Sequence, residues 1–327
     1  MENNEWDVII VGGGAAGLSA ALMLGRALRR VLVLDGGSPR NRFASHMHGV
    51  LGNEGADPLE FLSRGRQEVA GYGVEVRTAV VKRVVETATG LEVETDDGGR
   101  LAARRLIAAS GVRDDLPEIP GLAQRWGRDV LHCPYCHGWE VRGKRLAVLA
   151  TSPMGIHQAQ LIRQWSDDLV FFTALAGPVD SAISAQLAAR NVISDPRPVT
   201  ELVVNDDVLT GVRVEGGEVV DVEAVFTAAA LIPQDGYLSA LELEREDSVF
   251  GSFLKVDPTG CTSHPRIWAV GNITAPAANV PISIGAGAMA GGMINADLVT
   301  EDFTLAAAAA AASPVPTSAA AEEKKAS

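Results

Sequence analysis

The sequence predicts an α/β protein of two Rossmann-like three-layer domains, the larger one discontinuous and carrying the smaller as an insert. Three observations predict it. A strand, a glycine turn and a helix open the chain, a second βαβ pattern recurs after residue 145, and proline-glycine breaks at 117–121 and 233–236 fence that second unit off. The expected division is 1–117 and 235–305 for the larger domain, 118–234 for the insert, and 306–327 for a disordered alanine-rich tail.

In the first unit the apolar run Val8-Ile9-Ile10-Val11 leads into Gly12-Gly13-Gly14-Ala15-Ala16-Gly17 and a helical pattern from Leu18 to Leu28. Gly12 permits the tight turn, Gly14 lets a pyrophosphate reach the backbone, and Gly17 lets helix pack on strand. The helix start, with Ala15 and Ala16, then faces the phosphates. A G-x-G-x-x-G alone is a weak signal, but a second strand, Val31 to Leu34, ends at Asp35-Gly36 at the spacing of a ribose-binding carboxylate. An acid there bonds a free 2′-hydroxyl and repels a 2′-phosphate, which selects FAD or NAD over NADP.

The segment 38–66, with Pro39-Arg40-Asn41-Arg42 and His46-Met47-His48-Gly49, reads as a loop wrapping the nucleotide, so Arg40 and Asn41 join the candidate cofactor residues. From Gly73 to Glu94 alternation gives short strands, with a hairpin through Asp96-Asp97-Gly98-Gly99. Leu106 to Ser110 is a buried strand entering Gly111. Towards the C-terminus, Arg266 to Val270 forms a strand ending in Gly271-Asn272, and Ile282 to Leu298 a helix rich in small residues, which allow close approach to ligand or sheet.

In the second unit Arg145 to Ala150, Ile156 to Trp165 and Leu169 to Thr173 repeat strand, helix and strand, and Ala224 to Leu231 adds a strand. The chemistry of the first turn is not repeated. Its turn reads Ala150-Thr151-Ser152-Pro153-Met154-Gly155, lacking the first two glycines, and Pro153 removes a backbone donor where a pyrophosphate needs one. No arginine cluster follows the strand to hold a 2′-phosphate. NADP(H) binding is therefore doubtful.

Between the two units stands Cys133-Pro134-Tyr135-Cys136-His137. Two thiols at this spacing can close a small disulfide and exchange electrons in pairs, although C-x-x-C also serves zinc sites. The only other cysteine is Cys261, which leaves no second ligand pair for zinc. His132 and His137 flank the thiols and suit proton transfer and thiolate stabilisation. Three cysteines in 327 residues argue against a disulfide scaffold, and a net charge of −13 disfavours nucleic acid and anionic membranes. No stretch reads as membrane-spanning, and the acidic start lacks a secretory pattern, so the cytoplasm is expected.

Taken in order, "GGGAAG" at 12–17, Asp35, "ASG" at 109–111, "CPYCHG" at 133–138 and "AVGN" at 269–272 resemble the low-molecular-weight thioredoxin reductases over roughly residues 6–300. The resemblance implies a thioredoxin reductase-like fold, bound FAD held in part by Ser110, Gly111, Gly271, Asn272 and Ile282, and a homodimer. Where those reductases carry an acid after the second cysteine this chain has His137, and where they carry G-D it has Gly271-Asn272. Together with the missing nucleotide loop, these departures resemble the gliotoxin- and holomycin-type dithiol oxidases. By that resemblance Cys136 faces the flavin as the charge-transfer thiolate, Cys133 is the interchange thiol, His137 is general base and acid, and oxygen takes the electrons from a small-molecule or peptide dithiol. Two other readings stay open: an NAD(P)H-dependent disulfide reductase, and a non-enzymatic FAD redox sensor.

Overall fold

The computed structural model describes residues 5–312. The chain opens with β1 (Glu5–Val11), α1 (Ala15–Arg26), β2 (Val31–Asp35), α2 (Pro58–Ala70), β3 (Glu75–Thr78), β4 (Val81–Glu86), β5 (Leu91–Thr95) and β6 (Arg100–Ala108). A connecting strand, β7 (Val112–Asp115), leads to α3 (Leu122–Arg125), β8 (Val130–Leu131), α4 (Pro134–His137), β9 (Leu146–Leu149) and α5 (Met154–Ile162). Next come β10 (Leu169–Phe172), α6 (Ser181–Ala189), β11 (Val192–Asp195), β12 (Val199–Asn205), β13 (Val208–Val214), β14 (Val219–Asp221), β15 (Ala224–Thr227) and β16 (Ala230–Pro233). The described chain finishes with β17 (Arg245–Ser248), β18 (Gly251–Leu254), β19 (Ile267–Ala269) and α7 (Val280–Ala312).

The larger sheet runs β3-β2-β1-β6-β5-β4, with β19 also on β6. Its central strands are parallel and buried on both faces, which is why Val8–Val11 and Val31–Leu34 read as unbroken apolar runs. The pairing of Ile267 with Leu106 and Trp268 with Ile107 brings the late strand back into the sheet that the N-terminus began. Helices α1 and α7 pack together against one face of it. A Cβ on Gly287 would sit 2.1 Å from the Ala16 carbonyl oxygen and one on Gly291 2.8 Å from that of Ala20, so these two small residues serve helix-to-helix approach.

The second sheet, all parallel, has the order β11-β10-β9-β15-β8. Leu146, Val148 and Phe171 face Ala159 and Ile162 of α5 and Leu187 of α6, while Ala147, Leu149 and Phe172 face Leu202, Leu209 and Val212 of the β12–β14 meander. That makes three layers. The chain crosses between the two sheets twice, and the crossings pair as antiparallel strands, β7 on β16, with Val112 opposite Pro233 and Asp115 opposite Ala230. Ser110 Oγ adds a hydrogen bond to the Gln234 carbonyl at 2.7 Å.

Four local expectations are corrected. The run Ala224 to Leu231 is two strands, because β15 sits inside the parallel sheet and the chain must turn at Ala228-Ala229 before β16 joins the crossing. The loop at 38–66 ends at Asp57, whose carboxylate caps α2 by accepting from the N–H groups of Leu59 and Glu60 ahead of Pro58 at the first helical position. The strand at Leu106 to Ser110 is only the end of β6, which starts at Arg100 on the far side of the hairpin. Ala306 to Ala312 continue α7 rather than beginning a disordered tail; alanine has the best helix propensity, and the preceding turns are anchored by Arg104 on Glu301 and Asp302. The rest of that tail, 313–327, lies outside the described residues.

By length and composition α7 is also apolar enough to span a bilayer, which the sequence reading did not register. Its inner face is spent on α1, and Asp297, Glu301 and Asp302 pair with Arg105, Arg104 and Arg29.

Candidate active site

The two halves of the molecule enclose a cleft of about 910 Å³. One wall is the turn after β1. Gly12 holds φ +111°, and a Cβ there would lie 2.4 Å from the Ala109 carbonyl oxygen, so the turn accepts glycine alone. A Cβ on Gly14, by contrast, would meet nothing within 4 Å. Gly14 is also the N-cap of α1 and brings no side-chain cap, so the first helical N–H groups are left for whatever enters the cleft. Gly17 does not line the cleft; its missing Cβ would stand 2.0 Å from the Gly12 carbonyl oxygen, which makes it the packing glycine of the turn.

Asp35 and Gly36 line the same wall at the end of β2. The Asp35 carboxylate accepts from Arg66 at 2.9 Å and from the Gly37 N–H at 3.1 Å. Arg40 and Asn41 lie beside them in the cleft wall. The Arg40 guanidinium is committed to Asp114 of β7, at 2.7 and 2.9 Å, so it stitches the wrapping loop to the crossing strands. Asn272 donates through Nδ2 to the carbonyls of Ala275, Pro276 and Ala278, a clamp that a carboxylate, having no donor, could not make. Its Oδ1 is the atom left to offer a ligand. Ser110, Gly111 and Gly271 also line the cleft. Ile282 does not: α7 begins at Val280, the helical turn points Ile282 outward with 57% exposure, and Val280 and Ser283 face the cleft instead.

The opposite wall carries the dithiol. Cys133 is the N-cap of α4, with Pro134 at the first helical position, and Cys136 sits one turn on. Cys136 Sγ donates to Cys133 Sγ at 2.7 Å, so the pair can close into a disulfide by a movement under about 1 Å. The hydrogen bond from Cys136 holds Cys133 down at about 7 despite burial, with help from the N–H groups of Cys136 and Tyr135 and from the Arg40 charge. Cys136, which keeps the shared proton, is pushed up. In the reduced pair the anion therefore rests on Cys133. The flanking histidines were expected to stabilise the thiolate, and here the expectation fails: burial pushes both His132 and His137 below the usual imidazole range and keeps them neutral. His137 is thereby a proton acceptor rather than a cation.

Sequence reasoning missed two things. Five of the six histidines, His46, His48, His132, His137 and His157, line this one cleft. His157 comes from α5, where no spacing announces that its face meets the dithiol. Arg40 was assigned to the nucleotide, and the structure also sets its charge against Cys133.

Residues 6–307 match the pyridine nucleotide-disulphide oxidoreductase family along nearly the whole chain. The chain belongs to that family. Among curated members of the family, "thioredoxin reductase tcpT" of Claviceps purpurea is 30% identical over 91% of this chain and 96% of its own length. "Thioredoxin reductase sirT" of Leptosphaeria maculans is 28% identical over 89% and 93%. Among solved structures of similar proteins, HlmI superposes with a TM-score of 0.90 at 42% identity over 95% of this chain and 98% of that one. An oxidoreductase from Agrobacterium tumefaciens gives 0.86 at 38% identity, over 90% and 99%. These findings bear out the thioredoxin reductase-like fold and the resemblance to gliotoxin- and holomycin-type proteins read from the motifs. They make the chain a flavoprotein oxidoreductase with FAD as its cofactor, and the uncapped helix start, the open face of Gly14 and the length of the cleft fit that group.

Proposed function

We propose that this protein is an FAD-dependent dithiol oxidase, closing a disulfide in a small-molecule or peptide dithiol with oxygen as final electron acceptor. The observation that carries the proposal is the second βαβ turn. There Met154 N–H is taken by Ser152 Oγ at 3.3 Å, Gly155 N–H by the Ser152 carbonyl at 2.9 Å, and Ile156 N–H by the Pro153 carbonyl at 3.2 Å. A helix start whose donors are already satisfied offers no phosphate cradle. Electrons must then enter by way of the dithiol.

The residues that would hold FAD are Gly12, Gly14, Ala15 and Ala16 for the pyrophosphate, Asp35 and Gly36 for the ribose, and Gly111, Gly271 and Asn272 further along the cleft. The bound flavin supplies a two-electron acceptor that oxygen can regenerate. His137, neutral, takes the proton of an incoming thiol. The substrate thiolate attacks Cys133 of the oxidised pair, Cys136 leaves as thiolate, and the second substrate thiol resolves the mixed disulfide. When the dithiol reforms, Cys133 again carries the anion. A second copy of this chain is the natural partner for the outer face of α7, where Ile282, Met289, Met293 and Phe303 stand exposed, and the working compartment is the cytoplasm.

The reductase reading draws support from the printed names of the fungal relatives. One experiment separates the two: the yellow protein is mixed without oxygen with NADPH, with NADH, and with dithiothreitol. Bleaching of the flavin by dithiothreitol alone, with colour and peroxide returning on exposure to air, is the expected result. Rapid bleaching by either nicotinamide overturns the oxidase.

A further inference from the structure

The reaction proposed above uses one of the five histidines in the cleft, yet closing a disulfide frees two protons. An imidazole holds one. Among the described cleft histidines only His48 is paired with carboxylates. Its Nδ1 lies 2.7 Å from Glu54 Oε1, and the other oxygen of Glu54 accepts the Gly49 N–H at 2.8 Å, so the carboxylate is fixed from both sides. A carboxylate on one ring nitrogen sets the tautomer and leaves the other nitrogen free to act as base. That other nitrogen, Nε2, faces Glu140 Oε1 at 3.5 Å, across the gap between the wrapping loop and the segment that follows the dithiol helix. Glu140 is three residues past His137, and the charge of His48 is felt at His137. The remaining histidines are differently placed: His132 has Nδ1 buried without a partner, and His46 leans on Ser45 Oγ at 3.0 Å within its own loop.

The geometry points to His48, oriented by Glu54, as a second catalytic base that takes the proton of the substrate's second thiol. This rests on the dithiol oxidase reading. In the first half-reaction His137 accepts the proton of one thiol, whose sulfur bonds to Cys133 Sγ as the Cys133–Cys136 bond breaks and Cys136 departs with the electron pair. In the second, His48 accepts the proton of the other thiol. Its sulfur then bonds to the substrate sulfur held on Cys133, and Cys133 departs as thiolate. The substrate has lost two electrons and two protons; the cysteine pair holds the electrons, and His137 and His48 hold one proton each. Glu54, 65% exposed, opens a route from His48 to water.

The test uses the full-length, flavin-loaded protein in its oxidised form, mixed without oxygen with dithiothreitol, then acid-quenched, alkylated and weighed intact. In His48→Gln the mixed disulfide on Cys133 is expected to form at the wild-type rate and to accumulate about ten-fold or more above wild type, because only resolution has lost its base. Glu54→Gln, which keeps a side chain of the same shape, is expected to accumulate it to a lesser degree, and added imidazole to restore resolution in His48→Gln. Formation and resolution slowed equally would mark His48 as merely structural and overturn the assignment, as would a wild-type level of mixed disulfide in a His48→Gln protein of normal flavin content. If wild type itself forms no mixed disulfide, the oxidase reading falls, and the role of His48 with it.

Discussion

The two βαβ turns of this protein began from one pattern and kept different parts of it. At positions 12, 14 and 17 the first turn has glycine throughout; at 150, 152 and 155 the second has alanine, serine and glycine. The glycine they share is the one that packs helix on strand: a Cβ on Gly155 would lie 2.6 Å from Ala150 Cβ, as one on Gly17 would crowd the Gly12 carbonyl. What the second turn lost is the pair that faces a ligand. Packing and binding are thus separable demands on one motif, and the insert retains the architecture of a nucleotide domain after its donors have been turned inward.

The comparison breaks most visibly at Gly12. Gly12→Val puts a branched side chain where φ is +111° and the Ala109 carbonyl is 2.4 Å from its Cβ. The expected product is colourless protein, measured as the flavin-to-protein absorbance ratio after purification; a yellow variant would remove the cradle from the argument.

On the dithiol side, His137→Gln should lower turnover with dithiothreitol by about 10²-fold. The sign of its pH dependence follows from burial, which holds His137 below the ordinary imidazole value. Neutral His137 is the active form, so wild-type turnover falls as pH drops through that lowered value. In the variant this acid limb should vanish, while the limb near pH 7 set by Cys133 in the reduced pair remains. A pH–rate profile of both proteins decides it.

Gly155→Ala sharpens the contrast from the other side. It should cost about 1–3 kcal/mol of stability in urea titration, because Ala150 and Phe171 leave no room, with flavin content unchanged. The smallest effect belongs to Ser152→Ala, which removes the acceptor of the Met154 N–H and should cost about 0.5 kcal/mol. Neither change should create NADPH bleaching of the flavin.

The parts of the fold legible in the sequence were those with local causes. The first strand and its glycine turn, the strand ending at Asp35, the hairpin at 96–99 and the second βαβ unit all came from periodicity and turn chemistry. The split of 224–231 into β15 and β16 was not legible, since both halves are apolar and only their partners, a parallel sheet and a crossing strand, tell them apart. Ile282 was misplaced for the same kind of reason. A helix start fixes which residues face a ligand, and α7 begins two residues earlier than its small-residue run suggests.

By itself the sequence determined the chemistry available to this protein: a phosphate-facing glycine turn, a ribose-type acid, a dithiol with a histidine behind it, and a second turn without donors. These are properties of short segments, and short segments are read directly. Only the tertiary structure decided that the dithiol opens into the same cleft as the glycine turn, that the anion rests on Cys133 while the flanking histidines stay neutral, and that His48 is held between Glu54 and Glu140. Each of these depends on groups far apart in the chain, or on burial, and neither distance across the fold nor loss of solvent is written in local pattern.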